Sequence, residues 1–155
     1  MPASTRDLTA IFERNEIPDT YRISFLANSL IVPVYDSIKR DVGLNRGEYL
    51  LLFCLAHFPE LTAQDVANMT GRPRNSISRG VHRMLDQGYI DRSPDQHDGR
   101  QAWLKITPSG RALHEKLVKR FKDRETEVLG RLTAAQRAHL DGLLHKLVLH
   151  TSAIG

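Results

Sequence analysis

The sequence predicts a mainly α-helical chain with one small β-hairpin: a winged helix-turn-helix over residues 45–107, with a helical region contributed by both termini, 1–44 and 108–155. Three observations carry this. Residues 61–107 read as two short helices, a tight turn and a basic hairpin. Between Arg72 and Arg83 lie Arg72, Arg74, Arg79 and Arg83 with no acid, and these four equal the whole formal net charge of +4. The flanking segments repeat apolar residues at helical spacing and carry more of them than a small lobe needs.

Taken in chain order, Ser4 with Asp7 is placed to cap a short N-terminal helix bearing Leu8, Ile11 and Phe12, and Ile17-Pro18-Asp19 reads as a linker. A long helix follows from about Thr20 to Asp41, kinked at Pro33. It has two apolar faces. One holds Ile23, Leu26, Leu30 and Val34; the other holds Phe25 and Val32, with Asn28 and Tyr35 nearby. Two faces need two neighbours: its own lobe, and either a partner subunit or a ligand.

The next helix starts at Asn45, with Glu48 as capping-box partner and Leu44 stapling to Tyr49, and it stops before Pro59. Cys54 sits in LLFCLAHF and reads as a small buried hydrophobe. Thr62 and Asp65 box the start of a helix near Ala63, with Leu61 stapling to Val66, and Gly71 supplies a permissive turn. Pro73 fits the first position of a second helix that runs to about Gln87, with Gly88 as its cap.

In that second helix Ile77, Val81, Met84 and Leu85 form a core stripe, and Asn75, Ser76, Arg79, His82 and Arg83 lie opposite. Arginine can fork onto guanine, asparagine onto adenine, and serine onto backbone or base. Tyr89–Arg92 and Arg100–Ile106 read as strands, the second turning Ala102, Leu104 and Ile106 inward against Gln101, Trp103 and Lys105. The SPDQHDG segment between them is turn chemistry, and Asp98 is placed to pair Arg100 and hold its guanidinium extended. Such an arginine suits a narrow minor groove.

Thr107-Pro108 then opens a helix to about Leu129, and Thr133 with Gln136 caps a last one. There Leu140, Leu143, Leu144, Leu147 and Val148 make a continuous stripe. A twofold helical bundle with a second copy is the commonest way to cover it.

Composition fits one cytoplasmic domain of 155 residues, 41% hydrophobic and 26% charged. The longest uncharged run, Ile23 to Tyr35, is 13 residues, short of the roughly 18–20 that cross a bilayer. Arg6, Asp7, Glu13 and Arg14 break up any secretory leader. A single cysteine excludes an internal disulfide. No Gly-rich phosphate loop, G-x-S-x-G or paired-cysteine motif is present, so an enzyme ranks below a binding protein. His114-Glu115 begins a zincin-like string, but Val118 stands where the second histidine is required. His139, His145 and His150, six and five residues apart, scatter around their helix. No metal or cofactor is expected.

The run Asp98-Gly-Arg100-Gln-Ala-Trp-Leu104-Lys-Ile106-Thr107, preceded by Gly88-Tyr-Ile90-Asp-Arg92 and followed by Pro108-Ser-Gly110, resembles the wing of the multiple antibiotic resistance regulator (MarR) family. The likeness is most specific in the central third and extends loosely, through helix order, from Tyr21 to His150. Ile106 replaces the family's usual leucine, and Arg72 stands where many relatives carry a small capping residue. The resemblance implies a homodimeric DNA-binding regulator, most simply a repressor of a palindromic operator on double-stranded DNA. It would be released by a small-molecule effector such as an aromatic acid or acyl derivative.

On this reading Arg74, Asn75, Ser76, Ser78, Arg79 and His82 read or bracket the major groove, Arg72 and Arg83 add charge, and Arg100, set by Asp98, enters the minor groove. Leu8, Ile11, Phe12, Leu140, Leu144 and Leu147 would line the dimer interface, and Asn28 and Tyr35 would face the ligand. The alternatives are a winged helix used for protein assembly without specific DNA binding, and a regulator that responds to thiol oxidation or to a metal.

Overall fold

The computed structural model describes residues 7–154; Ser4, expected to help cap the N-terminal turn, lies outside them. The described chain orders a 3₁₀ turn (Leu8–Phe12), α1 (Pro18–Val42), α2 (Arg46–His57), α3 (Ala63–Thr70), α4 (Arg74–Asp86), β1 (Ile90–Pro94), β2 (Ala102–Ile106), α5 (Pro108–Leu129) and α6 (Ala134–Ile154). It divides into two compact units, one of Pro33–Phe121 and one of Met1–Val32 with Lys122–Gly155.

Local chemistry sets the boundaries within the unit Pro33–Phe121. Asn45 and Glu48 form a complete capping box at α2, and Thr62 and Asp65 form another at α3. Gly71 ends α3 at φ +64, a left-handed conformation that costs glycine nothing. Pro73 departs from expectation by one position. It is the N-cap of α4 with ψ 138, outside the helix, and it makes no side-chain cap bond.

The hairpin is a two-stranded antiparallel ladder, with Ile90 opposite Ile106 and Pro94 opposite Ala102. Both strands are displaced from the expected spans. β1 begins at Ile90 and runs on to Pro94, because a proline at the end of an edge strand loses no ladder bond. β2 begins only at Ala102, because the turn before it consumes the preceding groups: Asp95 accepts from the amides of His97 and Asp98, and Gln101 donates to the Asp98 carbonyl. Trp103, expected to point out, is half-buried, with its Nε1 donating to Asp95 at 3.0 Å. Leu61 adds a bridge on the far side of β2, exchanging both backbone hydrogen bonds with Leu104.

The core of this unit is built on α2. Leu51, Leu52, Leu55, Val66, Ile77, Met84, Ile90 and Leu104 are buried, and so are Val34 and Ile38 of α1 and Leu117 of α5. Thus the lobe over residues 45–107 draws cover from both sides. Its junction to α5 is tight. Thr107 donates through Oγ1 to the Gly88 carbonyl and accepts from the Gly110 amide, and a Cβ on Gly110 would collide with the Tyr89 carbonyl oxygen. Gly110→Ala must therefore push the hairpin off α5, an overpacking cost of about 1–3 kcal/mol that denaturant unfolding should read as a lower midpoint.

In the other unit Asp7 itself caps the 3₁₀ turn, accepting from the Thr9 amide, and Phe12 meets Phe25 edge-on at 4.8 Å. The linker reading of Ile17-Pro18-Asp19 gives way to a helix start, since Pro18 opens α1 where a missing N–H is harmless. Arg124 donates from Nε to the Ser29 carbonyl at 2.7 Å, and Arg137 pairs with Glu125 at 3.1 Å. Thr133 and Gln136 cap α6 reciprocally. No described residue of α6 is buried: Leu144 is 47% exposed and Leu147 56%, with Leu143, Val148 and Leu149 also exposed. Leu140 is half-buried; Leu8 and Ile11 are exposed and Phe12 half-buried.

Candidate nucleic-acid interface

The candidate surface is organised by α4, which buries Ile77, Gly80, Val81 and Met84 and leaves Arg74, Asn75, Arg79 and His82 exposed. Leu85, placed in the same stripe by periodicity, is only partly buried. Beside the exposed face lies an open concavity of about 270 Å³. Its lining comes from the start of α3 (Thr62, Ala63, Gln64), from α4 (Arg74, Ser78, Val81, His82), and from the hairpin (Arg92, Arg100, Gln101, Ala102, Leu104). The lining holds three arginines and no acid. Arg74 is steadied from across the recess by Gln64, at 3.4 Å.

Chemically this is a site for anions. Three guanidiniums supply fixed positive charge and directional donors, and the serine, glutamine and histidine side chains add neutral hydrogen-bonding groups. A polyanion such as a nucleic-acid backbone carries the repeated charges that such a set of cations can meet.

Of the residues singled out from the sequence, Arg74, Ser78, His82 and Arg100 come together in this recess, and Asn75 and Arg79 stand on the adjoining open face of α4. Three others do not join them. Arg72 turns toward α2: its terminal nitrogen donates to Ser76 Oγ at 3.2 Å, and both side chains lie against Gly47. The Arg72 Nε is buried there without a hydrogen bond. Ser76 is thereby occupied on the same side. Arg83 pairs with Glu48 at 3.3 Å and donates to the Gly43 carbonyl at 2.8 Å. The helical period alone had put Ser76 and Arg83 on the open face; Arg83 is exposed there, with its guanidinium engaged by Glu48 and Gly43, while Ser76 is half-buried by the close crossing of α2, which the period does not reveal.

Asp98 also acts differently from expectation. Its carboxylate accepts from the Arg100 backbone amide at 3.0 Å and shapes the turn, and it does not hold the guanidinium. Arg92 was missed. Its signal was present in the alternation, since it lies two residues after buried Ile90 and so on the same face of β1. The amides of His97 and Asp98 lower the pKa of the Asp95 carboxyl, so the turn keeps its anchoring charge to a lower pH than an ordinary aspartate would.

The two ligand candidates are placed separately. Asn28 is exposed on α1, in the unit containing Met1–Val32. Tyr35 is half-buried in the other unit, edge-on to Phe121 at 5.2 Å and to Tyr49 at 6.0 Å, with the Arg46 guanidinium 5.4 Å from its ring centre. Burial raises the Tyr35 hydroxyl pKa, against the pull of Arg46. Cys54 is buried, and burial likewise pushes its thiol up, away from thiolate. Among the described residues no group of three or more His, Cys, Asp or Glu is arranged to hold a metal ion, and no helix is long and apolar enough to cross a membrane.

Comparison with known proteins follows the same outline. A sequence model of the MarR family matches residues 42–101. The HTH-type transcriptional regulator YybA of Bacillus subtilis (strain 168), itself uncharacterized, is 28% identical over 123 residues, 76% of this chain and 81% of that protein. A MarR transcriptional regulator from Methanosarcina mazei Go1 shares the fold with a TM-score of 0.79 at 18% identity, over 88% of this chain and 97% of that one. A cysteine-to-serine mutant of MarR from E. coli, complexed with operator DNA, superposes with a TM-score of 0.72 at 20% identity, over 92% and 99%. Bordetella bronchiseptica BpsR, whose DNA binding is regulated by 6-hydroxynicotinic acid, gives 0.70 at 21%, over 86% and 99%.

Proposed function

With a MarR-family winged helix across residues 42–101 and the fold of MarR regulators over 88% of the chain, we propose that the protein is a sequence-specific transcriptional regulator. It binds duplex DNA as a homodimer. The observation that carries the reading is the acid-free recess of Arg74, Arg92 and Arg100, continuous with the open face of Asn75 and Arg79. In this account α4 enters the major groove, where Asn75 and Arg79 meet base edges and Arg74, Ser78 and His82 bracket the backbone, while Arg100 and Arg92 follow the phosphates toward the minor groove. Arg83 instead ties α4 to α2 through Glu48, while Arg72 and Ser76 bond to each other beside Gly47.

The helical regions 1–44 and 108–155 supply dimerisation, through Leu8, Ile11, Phe12 and the α6 stripe of Leu140, Leu144 and Leu147. The protein represses a pseudo-palindromic operator in the cytoplasm, and a small aromatic acid or acyl compound releases it. The BpsR relative supports an effector of this chemistry. A protonated, buried Cys54 argues against a thiol switch.

Fluorescence anisotropy tests this on a duplex that the wild-type protein enriches from a random-sequence pool, compared with a scrambled duplex. The expected result is a preference of at least about 10³-fold for the selected duplex, with affinity falling steeply as salt rises. Equal binding to both duplexes would defeat the reading, and a flat salt response would favour a protein-assembly module.

A further inference from the structure

Arg83 is the one arginine between residues 72 and 83 that is both ion-paired and bonded to backbone: it meets Glu48 and the Gly43 carbonyl, 40 residues away in sequence. Glu48 is itself only 2% exposed. One of its oxygens accepts from the Asn45 amide at 2.9 Å, closing the α2 capping box, and the other faces Arg83. Gly80, one turn before Arg83, lies directly on Glu48: a Cβ there would stand 3.6 Å from Glu48 Cγ and 3.7 Å from its backbone nitrogen. So α4 crosses the first turn of α2 in contact, and a buried carboxylate meets its charge in one guanidinium that also grips the corner between α1 and α2.

Building on the DNA-binding reading, we propose that Glu48 and Arg83 form a strap that fixes the roll of α4 about its own axis, making Arg83 a positioning residue and not a phosphate ligand. Side-chain ends lie about 5–6 Å from a helix axis, so a roll of about 20° moves them by about 2 Å. That is enough to break a bidentate contact with a base edge while leaving looser phosphate contacts in reach. The Arg83 side chain is 47% exposed, so the pair adds little net stability; what suits it to an orienting role is that one guanidinium is held at two points, by buried Glu48 and by the Gly43 carbonyl. Asn75 and Arg79 stand on the open face of α4, where Arg79 bonds only within its own helix, to the Asn75 carbonyl, so both depend on that orientation.

The test uses Glu48→Gln, which retains an acceptor for the Asn45 amide, together with Arg83→Met and the double variant. In the free protein, amide hydrogen exchange over residues 80–87 should quicken by a similar factor in all three. The selected duplex should lose about tenfold or more of its advantage over the scrambled one in each, with the salt slope unchanged and the double variant no worse than either single. Arg83→Met with a shallower salt slope beside an unaffected Glu48→Gln would make Arg83 a phosphate ligand and overturn the proposal, as would additive losses or unaltered exchange in α4. Should the wild type show no duplex preference, the DNA reading falls, and the exchange measurement, made without DNA, still decides the strap.

Discussion

Leu144→Asp is expected to convert the protein from dimer to monomer at micromolar concentration and to lower affinity for its selected duplex by about two orders of magnitude or more, the loss that follows when two linked half-site contacts become one. Leu144 is 47% exposed in the single chain, and no described residue of α6 is buried. About half of Leu144 is covered within its own chain, so circular dichroism, expected to show an unchanged helical signal, separates loss of the dimer from loss of the fold. In the dimer the new carboxylate would have to be desolvated against Leu140 and Leu147 with no partner, which costs several kcal/mol, about what a micromolar interface can lose before it dissociates. Sedimentation of wild type and variant checks this. A variant that remains dimeric would move the interface away from the α6 stripe.

The second large effect is expected from Arg74→Ala combined with Arg100→Ala. Both side chains line the acid-free recess from opposite walls, one on α4 and one on the hairpin. If each meets a phosphate, a dimer loses four such contacts, and the slope of log affinity against log salt becomes shallower by about 3–4 units. The change should appear on scrambled and selected duplexes alike, because phosphates carry no sequence. Arg79→Ala differs in kind: it should cost about 1–3 kcal/mol on the selected duplex alone. A double variant with an unaltered slope would remove the recess from the DNA path.

These two expectations rest on parts of the molecule that were legible in the sequence to different degrees. Capping chemistry was legible almost to the residue, because Asn45–Glu48, Thr62–Asp65 and Thr133–Gln136 each act within one turn. The stripe of α4 was legible for the same reason: a period needs no partner to be seen. What escaped was everything set by contact between distant segments. The close approach of α2 to Gly80, which sets Glu48 within reach of the Arg83 guanidinium, depends on a crossing that no local pattern encodes. The bridge from Leu61 to Leu104 joins segments more than 40 residues apart, and the limits of β2 follow from how the Asp95 turn spends its backbone groups. Asp98 was assigned to the right neighbour and the wrong atom, since sequence spacing cannot tell a backbone amide from a guanidinium two residues on.

If a twofold pair of α4 helices reads DNA, hydroxyl-radical footprinting of the wild-type protein on its selected duplex will show two protected half-sites related by a dyad, on one face of the duplex and centred one helical turn apart, about 10 base pairs. A single protected patch, or protection spread evenly along the duplex without a dyad, would contradict it.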